Sequence, residues 1–177
     1  MQTANATAPT SFRPGDHIVY PAHGVGRVMG VEQQSVAGLS LDVFVISFEQ
    51  DKMTLRVPTT KAKSCGMRPL ASGEVVDQAM KTLQGRPRIK RTMWSRRAQE
   101  YEAKINSGDL VSIAEVVRDL HRASDQPEQS YSERQLYESA LDRMARELAA
   151  VEKVTRDDAV AKVTASLASK KQTAAAA

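Results

Sequence analysis

LSLDVFVISFE, residues 39–49, decides the fold of the first half of the chain. Leu41, Val43, Val45 and Ser47 alternate with Asp42, Phe44, Ile46 and Phe48, the period-two pattern of a β-strand, and both of its faces are partly apolar. Working outward, Gln50 and Asp51 make a tight turn into KMTLRVP (52–58). In the other direction Ala37 and Gly38 form a turn preceded by GVGRVMGVEQQ (24–34), and AHG (22–24) separates that run from DHIVYP (16–21).

Short runs rich in β-branched and aromatic residues, broken by turn residues at this spacing, predict four or five antiparallel strands over residues 12–70. The expectation is a small barrel of the SH3 or Tudor type. Such a unit leaves a strand edge open, and an open edge is a template for another protein's strand. Arg56, between Leu55 and Val57 and followed by Pro58, would project a cation from that edge, as a docking group or as an ordinary surface arginine. Gly24 and Gly26 are strand and turn punctuation rather than a dinucleotide fingerprint. Met29 stands where the third glycine is needed, and no helical pattern follows. Cys65 has no histidine near it in sequence and reads as a small buried or half-buried thiol.

After Leu70 the period changes to that of helices, over residues 71–168. Ser72 caps a helix carrying Val75, Val76, Ala79, Met80 and Leu83, stopped by Gly85 and Pro87. A second helix is expected from Thr92 to Asn106, and Asp109 caps a third with Leu110, Ile113, Val117 and Leu120 on one face. Ser132 with Gln135 has the spacing of a capping box, with Tyr131 placed to staple to Leu136; the last helix begins at Thr155 and includes Val160, Val163 and Leu167. The result is a compact helical bundle, giving an α+β chain overall. Residues 1–11 and 169–177 are too polar or simple to pack and are expected to be disordered.

With 41% hydrophobic and 26% charged residues the composition is that of an ordinary soluble globular protein. No apolar run approaches the roughly 20 residues of a membrane helix, and the opening residues lack the basic start and apolar segment of a signal peptide. A cytoplasmic location is expected. A single cysteine and three scattered histidines supply no disulfide and no metal spacing, so neither metal nor cofactor is expected. No acid pair, activated nucleophile or phosphate loop stands out, which argues against an enzyme.

Positive charge is concentrated in GRPRIKRTMWSRR (85–97), which carries six Arg or Lys residues, no acid and the only tryptophan. Cations around a flat apolar side chain suit nucleic acid, although a solvated connector leading into a helix has the same composition. Trp94, Ala98, Tyr101 and Ile105 fall on one helix face, which makes Trp94 a core residue; its place in the first turn, among Arg91, Arg96 and Arg97, leaves a contact role open.

PGDHIVYPAHGVGRV, LRVP, WSRR and NSGDLVSIAEVVRDLHR together resemble the CarD/CdnL family of bacterial RNA polymerase-binding regulators, over about residues 12–167. The resemblance implies an N-terminal Tudor-like domain (12–70) that binds the β subunit of RNA polymerase and a C-terminal helical domain (71–168) that contacts promoter DNA. It implies that Arg56, with Leu55, Val57, Pro58 and Gln34, faces the polymerase. It also implies that Trp94 acts as a minor-groove wedge at the upstream edge of the melted region, with Arg96, Arg97, Lys90 and Arg91 on the phosphates. Gln33 and Gln34 stand where some relatives place an arginine. The alternative is an RNA-binding or ribosome-associated module. Ala176 and Ala177 resemble tags read by bacterial unfoldase-proteases.

Overall fold

The computed structural model describes residues 12–123 and 125–174. The expected disordered segment 1–11 and the terminal Ala176 and Ala177 lie outside the described residues. Five strands, β1 (His17–Tyr20), β2 (Gly24–Val36), β3 (Leu39–Phe48), β4 (Met53–Pro58) and β5 (Arg68–Pro69), precede five helices. The strands form one antiparallel sheet in the order β4-β3-β2-β1-β5. The two edge strands are not paired with each other, so the expected barrel is an open sheet. β5, two residues long, is too short to leave a periodic signal in sequence.

The β2–β3 hairpin turns at Ala37 and Gly38, both with positive φ (52° and 79°), the two-residue turn whose twist matches paired strands. Along β3 the residues Phe44, Ile46 and Phe48 join Ile18, Val28 and Val57 in one core. Val43 and Val45 are buried on the opposite face, which accounts for the apolar character of both. Gly26 has no space for a side chain: a Cβ there would lie 2.7 Å from the Phe48 ring and 2.8 Å from Ile46. Cys65, expected to be at least half-buried, is exposed. It sits in the turns after β4, where covering structure ends, and beside Tyr20, whose phenol is raised first by burial and then by Cys65.

The helices are α1 (Gly73–Gln84), α2 (Trp94–Asn106), α3 (Leu110–Leu120), α4 (Tyr131–Glu152) and α5 (Arg156–Ala174). Ser72 and Asp109 cap α1 and α3 as expected, accepting from the backbone N–H groups of Val75 and Ser112. The capping box of α4 is Ser130 with Glu133, two residues before the expected pair. The same spacing occurs at both places, and the carboxylate of Glu133 is favoured over the Gln135 amide at the positive end of a helix. Tyr131 is consequently the first helical residue and is exposed rather than stapled. α5 continues to Ala174, beyond residue 168 where the folded part was expected to stop. Leu167 is buried there among the described residues, and the alanine, lysine and glutamine beyond it in sequence are good helix formers in themselves.

Sheet and bundle are bound to each other through polar groups. Glu147 of α4, 2% exposed, accepts from Arg68 Nη1 (2.7 Å) and Nη2 (3.0 Å) of β5 and from the Ala71 backbone N–H (3.0 Å). Arg68 also donates to the Gly108 carbonyl, at 2.6 Å from Nη2 and 3.0 Å from Nε. Arg143 of α4 donates to the carbonyls of Pro21 (2.7 Å) and Ala22 (2.6 Å) in the β1–β2 turn. Burial, then Arg146, lowers the Arg143 guanidinium pKa, while Asp51 and Asp142 oppose the shift. Gly108, at φ +73°, lies so close to this turn that a Cβ would meet Pro21 Cα at 3.0 Å. The YPAHG and NSGD stretches are thus the two sides of one interface.

Removing the Glu147 carboxylate takes the countercharge from Arg68, which keeps only carbonyl acceptors, and leaves the Ala71 N–H without its acceptor. Glu147→Ala is expected to lower unfolding free energy by about 3 kcal/mol, measured from the midpoint of urea denaturation at constant m-value.

Candidate nucleic-acid interface

The basic connector 85–93 is pinned at two points. The backbone N–H of Arg88 donates to Asp119 Oδ1 (3.0 Å), a carboxylate also held by Arg118 Nε (2.9 Å). Lys90 Nζ donates to Glu100 of α2 (3.0 Å). Arg86, Arg91 and Arg96 are exposed and make no ion pair among the described residues. Of the expected phosphate-binding side chains, Lys90 already has a partner, and Arg91 and Arg96 are uncommitted.

α2 begins at Trp94, two residues later than the expected Thr92. Met93 is the N-cap, in extended conformation, and its carbonyl accepts from the N–H groups of Arg96 and Arg97. Thr92 would be the better cap by type, but it lies in a bend before the chain turns into the helix at Met93. The helix start therefore has no side-chain cap, and its first turn contains no acid. Uncapped N–H groups and the helix dipole both favour an anion at this end.

Trp94 is half-buried and packs against the helical core. Its ring centroid lies 6.5 Å from that of Tyr101, and the Arg97 guanidinium sits 5.5 Å from the Trp94 ring and 5.8 Å from the Tyr101 ring. Core packing and partial exposure, which the sequence leaves as alternatives, therefore both hold. Arg97 differs from Arg96: it is half-buried, its Nε is buried without a hydrogen-bond partner among the described residues, and it lies on two aromatic faces. Its geometry is that of a clamp on Trp94, whereas the neighbouring Arg96 is exposed.

The other candidate set lies on the sheet. Arg56 and Pro58 of the edge strand β4 share the outer face with Glu32 and Gln34 of β2, as the register Val45↔Arg56, Val43↔Pro58, Glu32↔Val43 and Gln34↔Leu41 requires. Arg56 Nε is 3.4 Å from Glu32, an exposed pair worth at most about 1 kcal/mol. Val57 is buried in the sheet core and Leu55 packs against it, so their side chains face away from Arg56. Gln34 lies beyond the end of β4, on the projecting part of the β2–β3 hairpin.

Sequence reasoning missed Met93, the clamp by Arg97 and Tyr101, and the anchoring of the connector on Asp119. Only the first left a signal, an apolar residue next to Trp94 within the basic run. Among the described residues there is no cluster of His, Cys, Asp and Glu that could hold a metal ion, and no helix long and apolar enough to cross a membrane.

The structure thus pairs an open strand edge with a cationic, apolar-tipped helix start, an arrangement suited to holding a protein at one end and a polyanion at the other. The family comparisons agree with that division. Residues 12–71 match the CarD-like/TRCF RID domain and residues 78–164 match the CarD C-terminal domain. YdeB of Bacillus subtilis (strain 168), a candidate transcription factor by its name, is 29% identical over 144 residues, covering 81% of this chain and 94% of that protein. Two solved structures are also similar. The solution structure of the 72-residue N-terminal domain of Myxococcus xanthus CarD is 32% identical, covering 41% of this chain and 96% of that one, with a TM-score of 0.31. CdnLNt from Myxococcus xanthus is 39% identical, covering 38% of this chain and 94% of that one, also with a TM-score of 0.31. The chain belongs to the CarD/CdnL family of transcription regulators, with an N-terminal RNA polymerase-interacting domain. The family is one of transcription regulators rather than enzymes.

The single tryptophan gives the clamp a direct optical signal. Arg97→Ala is expected to red-shift Trp94 emission and increase its acrylamide quenching, while Arg97→Lys, which keeps a cation but not the planar stack, should fall between the two.

Proposed function

We propose that this chain binds the β subunit of RNA polymerase through the β4 edge around Arg56, and that it stabilises the open promoter complex through a sequence-independent DNA contact made by Trp94 with Arg91 and Arg96. The observation that carries the reading is the start of α2: a half-exposed tryptophan, held in place by Arg97, on an uncapped helix end with uncommitted cations beside it. On this reading Leu55 and Val57 hold the shape of the edge from inside, Pro58 flanks Arg56, Gln34 contributes from the hairpin, and Lys90 joins the DNA face by releasing Glu100. The site of action is the cytoplasm, on polymerase at promoters. Recognition of Ala176 and Ala177 by an unfoldase-protease remains a separate proposal, checked by the cellular half-life of a variant with both replaced by Asp.

A few phosphate contacts bind DNA weakly, with Kd on the order of 10⁻⁴ to 10⁻⁶ M. Held on polymerase, the tip meets DNA at an effective concentration near ~1 mM, so even a Kd of ~0.1 mM gives about ten bound for each unbound. Inserting an apolar side chain at a base step costs a few kcal/mol of unstacking, least where the duplex is already distorted. The boundary between duplex and melted DNA is such a place. A side chain that favours that boundary over closed DNA stabilises the open state by its differential affinity and no more. A gain of about 1 to 2 kcal/mol changes the open-to-closed ratio by about 5 to 30-fold.

Trp94→Ala is expected to shorten open-complex lifetime on a ribosomal RNA promoter by about that factor, with circular dichroism confirming that the fold survives loss of the Tyr101 contact. An unchanged lifetime in the folded variant removes the wedge. Arg56→Glu puts an acid in place of the cation that reaches across β3 to Glu32 and should abolish polymerase binding and the effect on transcription. Its weak binding to free DNA, read by fluorescence anisotropy, should match the wild type.

A further inference from the structure

A cavity of about 360 Å³ lies between the sheet and the C-terminal half of α4, with the start of α5 beside it. Its sheet wall is a row: His17 of β1 pairs with Arg27 of β2, which pairs with Ser47 of β3, so all three are on the face opposite the core residues Ile18, Val28 and Ile46. Its helix wall is Arg146, Ala149 and Ala150, which share one face of α4, and Arg156 joins them from the first position of α5. Three guanidinium groups from three elements thus line one cleft, against a single carboxylate, Glu49. Their charge is only partly spent within the protein. Arg27 is exposed and makes no ion pair among the described residues. Arg146 and Arg156 share one carboxylate, Asp142, at 2.8 and 2.6 Å, and the exposed Asp157, 3.6 Å from Arg156, adds little. The Arg146 Nε is buried without a hydrogen-bond partner among the described residues. None of the residues lining the cleft belongs to the β4 edge or to the start of α2.

Like charges gathered from three elements repel one another, and an anion between them turns that repulsion into attraction. A carboxylate offers two oxygens and one charge, whereas a phosphate group offers three oxygens and up to two charges, matched to the forked donors of arginine. The cavity is of the size of small-molecule sites, so it has room for more than the phosphate. The rest of its wall is small and apolar, with Val25 on the sheet and Ala149 and Ala150 on the helix, which suits a flat ring. We propose that this cleft binds a nucleoside phosphate, its phosphate groups held by Arg27, Arg146 and Arg156 and its ring set against Val25, Ala149 and Ala150. Such a ligand ties β2 to α4 and α5 at a second place besides the Arg68 and Glu147 anchor, and it stabilises the joint between sheet and bundle in proportion to its concentration.

The probes are ADP and inorganic diphosphate, titrated into the full chain by calorimetry at low salt. Four proteins are compared: the wild type, Arg27→Gln, Ala150→Leu and Arg96→Gln, with circular dichroism to verify each fold. Arg27 is exposed and unpaired, so its variant is expected to fold. Arg27→Gln removes a charge-assisted contact and should weaken both probes about tenfold or more. Ala150→Leu fills the apolar part of the cleft and should weaken ADP while sparing diphosphate. Arg96→Gln removes the same charge from the start of α2 and should leave both affinities unchanged, which separates a built site from attraction by the net positive charge of the chain. No binding of either probe to the wild type overturns the proposal, as does ADP binding no tighter than diphosphate. Equal losses in Arg96→Gln and Arg27→Gln, or displacement of ADP by duplex DNA, overturn it as well.

Discussion

The structure depends on a carboxylate in an apolar place. Glu147 is almost fully enclosed, and only the guanidinium of Arg68 and the Ala71 N–H make that tolerable. Burying a charge pair gains little over an apolar contact of the same shape, but it demands one geometry, because a shifted guanidinium leaves both charges unpaired. Arg68 further commits itself to the Gly108 carbonyl before α3, and Arg143 commits α4 to the β1–β2 turn. The short strand β5 is thereby tied to two separate segments of the helical half, α4 and the turn before α3. Sheet and bundle meet at one orientation rather than sliding over a greasy contact.

That orientation gives the molecule its polarity. β5 is one edge of the sheet and is consumed by the bundle, whereas β4 is the other edge and pairs only with β3. The free edge and the helix start at Trp94 are therefore carried by a single interlocked framework. A partner held on β4 would present the tip of α2 at a fixed distance and angle, so a weak contact at that tip can act reliably without being strong.

At the tip, packing and exposure are balanced on the same residue. Trp94 gives part of its surface to the core beside Tyr101 and keeps part in solvent, and Arg97 spends its charge on the two rings instead of on solvent or a carboxylate. A cation–π contact of this kind is worth about 1 kcal/mol, too little to fold a domain but enough to limit the rotamers of one side chain. The neighbouring Arg96, one residue earlier on the helix, is exposed and makes no ion pair among the described residues. Two adjacent arginines in the same motif thus do different work, which a reading by charge alone merges.

By itself the sequence determined the α+β division, the four longer strands, the caps Ser72 and Asp109, the helical core and the cationic stretch at 85–97. Each rests on local physics: alternation along LSLDVFVISFE, hydrogen bonding by short polar side chains, and a run of cations without acids. Family membership was equally legible, from motifs spread over both halves. Only the tertiary structure decided that the sheet stays open, that Cys65 is exposed, and that Ser130 wins over Ser132 as the cap of α4. It alone assigned Glu147 as the anchor and Arg97 to the clamp. The anchor comes from groups distant in sequence, such as Arg68 and Glu147 or Pro21 and Arg143, whose meeting no local pattern encodes. Periodicity shows which face of a helix is buried; how far the first turn projects past its neighbours is settled only when those neighbours are in place.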